Sequence, residues 1–220
     1  MENRSLSVPR ITRLAAVAVL VAAHAGHATD VDHKRFNLAP NPAFVRCLAA
    51  FPDDPSRPPT ATVDVARGRL NDQLVLQLRN VKPGLRFDLF TVERTSLLPD
   101  GSPDPAFKAN GGSFGMAWYQ SDVEVKDDHR SFTSIRTILT DQIFGFDSAV
   151  GLPPTNTFHV GFWFNDPADV VDCNFAGPPT PFNGEHDAGP LAMISVPETT
   201  GLGPLCLNPD LSSDPVHCNP

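Results

Sequence analysis

Twenty-three prolines, spread over almost the whole length of a 220-residue chain, constrain this sequence more than any other feature. A proline inside a helix removes a hydrogen-bond donor and clashes with the preceding turn, so this density leaves only short segments joined by turns. Short segments with frequent turn residues and no internal repeat point to an all-β protein. The fifteen glycines bring proline plus glycine to about 17%, below the range at which a chain of that composition reads as disordered. Hydrophobic residues make up 41% of the sequence, enough for a packed core.

The amino end sets an expectation about compartment. Arg4, Arg10 and Arg13 precede an apolar run from Leu14 to Ala23, and Ala23-His24-Ala25 or Gly26-His27-Ala28 supplies small residues for cleavage. A basic amino end, a run of about ten apolar residues and an A-x-A site are the pattern of a secretory signal peptide, expected over residues 1–28. The run is too short to span a bilayer, which needs roughly twenty residues, and no transmembrane segment is expected after signal removal. Removal of that segment takes away three arginines and one glutamate, so the formal net charge moves from −8 to −10. An acidic chain without a basic stripe is repelled by phosphate backbones and anionic lipids, which argues against nucleic acid as a partner.

Cys47, Cys173, Cys206 and Cys218 all lie in the exported part, an even number in a compartment that permits disulfides. The short separation of Cys206 and Cys218 favours that pair, because closing a short loop costs less entropy, and leaves Cys47 for Cys173. The localisation expected is secreted or periplasmic.

Residues 29–59, rich in Pro40, Pro42, Pro52, Pro55, Pro58 and Pro59, read as an extended arm docked through Cys47. Strand signals follow over 60–200. Thr60 to Val65 is short. Leu74, Leu76 and Leu78 alternate with polar partners before the turn formers Asn80 to Gly84, and Arg86 to Thr95 alternates again, so the two runs are expected to pair as a hairpin. Leu98 to Gly112 is a loop of turn formers, and loops of that length are commonly functional or mobile. Phe114 to Val125, the β-branched run Ser131 to Thr140, Thr157 to Asn165 and Gly189 to Val196 complete the series. Residues 201–220 form a proline-rich tail closed by Cys206 and Cys218. The expectation is an antiparallel β-sandwich of about seven to eight short strands.

Three groups of residues are candidates for chemistry. His159 and His186, with Glu185, Asp187 and Asp166, contain the donor types of a divalent-metal site, and a secreted metal-assisted enzyme would be built on them. Trp118, Tyr119 and Trp163 are the only tryptophans and tyrosine in the chain, and an outward-facing ring among them could stack on a protein or carbohydrate ligand. Asp100 to Asp104 and Asp127-Asp128 offer hard oxygen ligands for a calcium-stabilised adhesion module, without the twelve-residue EF-hand spacing. Hydrolase elbows, zinc-protease helices and nucleotide-binding loops are absent from the sequence, and no cofactor is expected beyond a possible divalent metal. The balance favours an exported, non-catalytic binding or envelope-associated protein of unknown ligand.

Overall fold

The computed structural model describes residues 33–68, 72–109, 112, 114–115, 117–126, 132–139, 159–176, 188–206, 209–214 and 216–218. The strands are β1 His33–Pro40, β2 Thr60–Ala66, β3 Asp72–Arg79, β4 Arg86–Val92, β5 Ala117–Glu124, β6 Phe132–Leu139, β7 His159–Phe164 and β8 Leu191–Ser195. They form one antiparallel sheet in the order β5-β4-β7-β8-β1-β2-β3-β6. β5 and β6, the two ends of that order, approach each other, so the sheet is nearly closed into a barrel. A small ladder, β9 Pro209–Asp210 with β10 His217–Cys218, lies in the tail.

Alternation along the strands separates an inner from an outer face. Inward are Ala61, Val63, Val65, Leu74, Leu76, Leu78, Phe87, Leu89, Val123, Val160, Phe162 and Phe164, which make one continuous core. Interleaved residues of β4 and β7 point outward, yet Phe90, Val92 and Trp163 are buried too, with Leu97, Leu191 and Ile194. The explanation is the β4–β5 connection. It carries α2, Pro105–Ala109, and returns with Phe114 against the outer face. The stretch expected to be a functional or mobile loop is thus partly a cover for a second core. Two register shifts, opposite Leu89/Phe90 in β5 and at Phe162/Trp163 facing β8, bend the sheet as bulges do.

Both ends of the barrel are capped. At one, α1, Val45–Leu48, is tied by the Cys47–Cys173 disulfide to a 3-10 helix, Pro167–Cys173, and Phe44 packs edge-on against Phe164 and Phe175. At the other, Leu205 enters the core, and the Arg67 guanidinium joins Asp72 while its Nη2 donates to the Leu205 carbonyl at 2.7 Å. Lys34 meets Glu198 at 2.5 Å on the same side. Cys206–Cys218 then closes the tail beyond this plug. The pairing inferred from the separations is the pairing present.

Two expectations need correction. His33–Pro40 is not an arm outside the sheet but an interior strand, paired with β2 on one side and β8 on the other. Its pattern hid this because its outward side chains, His33, Arg35 and Asn37, face water and the neighbouring polar residues Asp64 and Thr62. The expected β3–β4 hairpin does not form. β3 pairs with β2 and β6, and β4 with β5 and β7. The intervening turn is held elsewhere: Ala50 N donates to the Asn80 carbonyl at 2.8 Å and Lys82 N to the Leu48 carbonyl at 2.7 Å, which carries the chain across the barrel end.

Candidate functional site

The aromatic residues mark one surface. β5 is an end of the sheet and, among the described residues, pairs with β4 alone. Trp118 and Tyr119 are consecutive on it and therefore point to opposite faces. Trp118 lies across from buried Thr91 on the inner side, and Tyr119 across from Phe90 on the outer side. Both stay largely in water, at 41% and 50% exposure. Among the described residues β5 has a hydrogen-bonded neighbour on one side only, and both adjacent large rings are left exposed.

The β5 bulge gives this surface its local chemistry. Ser121 is level with Leu89 and Tyr119 with Phe90, so Gln120 is the extra residue, and its Nε2 donates to Thr91 Oγ1 at 3.0 Å. Residues three apart in a regular strand face opposite sides. With one residue inserted, Tyr119 and Asp122 share the outer face, and the Tyr119 hydroxyl donates to Asp122 Oδ1 at 2.8 Å. Partial burial first, and the Asp122 carboxylate second, push the phenol up to about 12, so it stays a donor at any physiological pH. The ring of Tyr119 is also the open end of an aromatic chain. It meets Phe90 edge-on at 5.7 Å, Phe90 meets Trp163 at 5.5 Å, Trp163 meets Phe114 at 5.2 Å, and Phe114 meets Phe107 at 4.9 Å. Such contacts fix ring orientations at roughly 0.5–1.5 kcal/mol each.

Trp163, the third aromatic candidate, belongs to the core instead of the surface. It is 1% exposed in the middle of the sheet, under the β4–β5 cover, and cannot reach a ligand. Gly161 makes room for it: a Cβ there would lie 3.2 Å from the indole and 3.1 Å from Ile194.

His159 is likewise internal. At 3% exposure its Nδ1 lies 3.0 Å from Ser195 Oγ and 3.2 Å from the Ser195 carbonyl. Val160 N donates to the same Oγ, and Thr95 of the cover donates to the same carbonyl at 2.9 Å. Burial pushes the imidazole down to about 4, only partly opposed by its bond to Ser195, so it is neutral at pH 7. Asp166 lies seven residues further along an extended chain, about 20 Å away at the usual strand rise, so the structure does not bring it to His159. Its side chain caps the 3-10 helix by accepting from Ala168 N at 2.8 Å. Glu185, His186 and Asp187 fall outside the described residues, as do Asp127 and Asp128. Among the described residues no group of three or more His, Cys, Asp or Glu side chains is placed to hold a metal ion.

The acidic loop candidates are engaged locally. Asp100 accepts from the amide and hydroxyl of Ser102, bonds that hold its carboxyl below the usual range. Asp104 accepts from Ala106 N at the start of α2. Residues that position this architecture but carry little sequence signal are Ser195, Thr95 and Gln120. Gly161 is the exception, since a glycine between large aromatics in a strand indicates close packing.

The fold and site define an antiparallel, disulfide-bonded, nearly closed β-barrel with an aromatic end strand. No family model, no curated protein and no solved structure matches the chain.

Proposed function

We propose that this is an exported, non-catalytic binding protein that holds its ligand on the Trp118–Tyr119 surface of β5. The observation that carries the reading is the exposure of two adjacent aromatic rings on an end strand, the other large hydrophobic residues exposed among the described ones being the separate aliphatics Leu98, Val171 and Leu211. Tyrosine and tryptophan are the residues most enriched where proteins bind, because they offer large contact area at small entropic cost. Two disulfides are compatible with an oxidising compartment, and among the described residues no helix is long and apolar enough to cross a membrane.

The chain is suited to a direct test, since Trp118 and Trp163 are its only tryptophans and one is exposed while the other is buried. Acrylamide therefore quenches Trp118 selectively. A ligand from a panel of oligosaccharides and peptides that occupies the site will protect Trp118 from the quencher. Trp118→Ala/Tyr119→Ala will lose that ligand, measured by calorimetry, while the melting temperature falls by only about 2–6 °C through the lost Tyr119–Phe90 contact. Full-strength binding by the double variant would place the site elsewhere.

A further inference from the structure

We propose that the β4–β5 connection is an acid-operated cover, which lifts from the sheet when His159 takes up a proton and uncovers the second apolar core while the barrel stays folded. The latch is a buried polar cluster that spans three elements. On β8, the Ser195 carbonyl accepts from Thr95 Oγ1 of the cover at 2.9 Å, and His159 Nδ1 of β7 lies 3.2 Å from the same oxygen and 3.0 Å from Ser195 Oγ. Val160 N donates to that Oγ at 3.1 Å. His159, Ser195 and Thr95 are all buried. The ring makes both of these contacts through Nδ1, whereas a cationic imidazole donates from both nitrogens. Its added proton needs an acceptor, and a cation enclosed by apolar side chains is strongly disfavoured. Lifting the cover brings water to the ring at the cost of the Thr95 bond and the contacts of Leu97 and Phe114.

The cover can move without the barrel. Through Leu97 and Phe114 it belongs to a cluster with Phe90, Trp163 and Ile194 that is separate from the inner core. None of the four cysteines lies between Val92 and Ala117, so neither disulfide ties it down. β7 beneath it stays paired with β4 on one side and β8 on the other. Local openings of this kind require less free energy than unfolding of the whole. The other charged groups on the packed elements lie at their ends: Glu93 and Arg94 after β4, Asp166 after β7, Glu198 after β8, and Lys34 of β1, which pairs with Glu198. The cover itself carries Asp100 and Asp104, bonded to Ser102 and Ala106, and Lys108. The proton affinity of His159 is set by burial and by Ser195, not by any of these charges.

The test is residue-resolved amide hydrogen exchange of the intact chain between pH 7 and pH 4, corrected for the intrinsic exchange rate at each pH. Lifting is read at Val160 and at Arg94, whose amide donates to the Phe114 carbonyl at 2.9 Å where the cover leaves the sheet. Unfolding of the barrel is read at Val63 and Leu76, opposite each other in the β2–β3 ladder. A ring whose pKa is about 4 when covered and 6.5 when exposed makes opening about a hundredfold more frequent at pH 4 than at pH 7. Protection at Val160 and Arg94 is expected to fall by that factor, to ignore low urea, and to stay below that of Val63 and Leu76, which respond to urea as a whole-molecule opening does. Equal protection and equal urea response at all four amides would overturn the inference, because the opening would then be global. In His159→Asn the fall with acid at Val160 and Arg94 is expected to be lost, and an undiminished fall would overturn the inference by assigning the response to other groups. Thr95→Val removes the donor of the cover and leaves the ring in place. It is expected to lower protection at Val160 and Arg94 already at pH 7 with Val63 and Leu76 unchanged, and wild-type protection at the first two would overturn the latch.

Discussion

Mild acid should weaken this fold through one residue, His159. Its ring is buried against Ser195, and burial lowers its pKa from 6.5 to about 4. In the unfolded chain the same imidazole takes a proton below about pH 6.5, whereas in the folded protein it stays neutral until about pH 4. The unfolded state therefore binds more protons across that window, and stability falls as the pH drops through it. A pKa moved from 6.5 to about 4 is worth about 3 kcal/mol at roughly 1.4 kcal/mol per pH unit. That is a large share of the 5–15 kcal/mol typical of a domain. The comparison to make is with His159→Asn, whose amide nitrogen can take the place of Nδ1 beside Ser195 and which does not titrate. Urea unfolding of both proteins, followed by tryptophan emission from pH 7.5 to pH 4, cancels the contributions of carboxylates common to the two. The variant should be less stable at neutral pH, and the gap should close by about 3 kcal/mol as the wild type loses stability. Parallel stability curves, or a wild type that gains on the variant in acid, would refute the argument by showing a solvated or ion-paired imidazole.

Other perturbations have equally definite outcomes. Gly161→Val forces side-chain atoms into the space held by Trp163, Ile194 and the Met193 carbonyl, and should cost about 1–3 kcal/mol in chemical denaturation while leaving Trp118 quenching intact. Phe162→Ala, which removes a fully buried ring lying tilted against Phe87 at 4.8 Å between centroids, should cost about 3–5 kcal/mol by the same measurement. Replacing both Cys47 and Cys173 by alanine opens a loop spanning 126 residues, against 12 for Cys206 and Cys218. The first pair should lower stability by about 4–5 kcal/mol and the second by about 3, so their melting temperatures should fall in that order.

The sequence revealed the parts of this fold that obey a simple period. β2, β4, β7 and β8 were legible because apolar residues alternate or run continuously between turn formers, and the cysteine pairing followed from loop length. β1 was not legible, because its outward face carries His33, Arg35 and Asn37 and its prolines suggested a loose arm. Its place in the sheet depends on β8, which lies some 150 residues later and which no local pattern encodes. The β3–β4 turn misled for the opposite reason. Its residues suit a hairpin, but the backbone groups at Asn80 and Lys82 bond to Leu48 and Ala50, a long-range contact that decides where the chain goes. Of the site residues, the exposure of Trp118 and Tyr119 follows from β5 being an end strand, a property of the whole topology and not of the strand itself. The burial of Trp163 and His159 follows from the cover over the outer face, whose apolar contributions, Leu97 and Phe114, are scattered among turn residues.

The most direct test of the binding account is amide hydrogen exchange of the protein with and without a ligand that protects Trp118 from acrylamide, resolved residue by residue. A site on the Trp118–Tyr119 surface predicts new protection within Ala117–Glu124, with β2 and β3 unchanged. Protection spread evenly over the molecule, or none in β5 at a saturating ligand concentration, would contradict it.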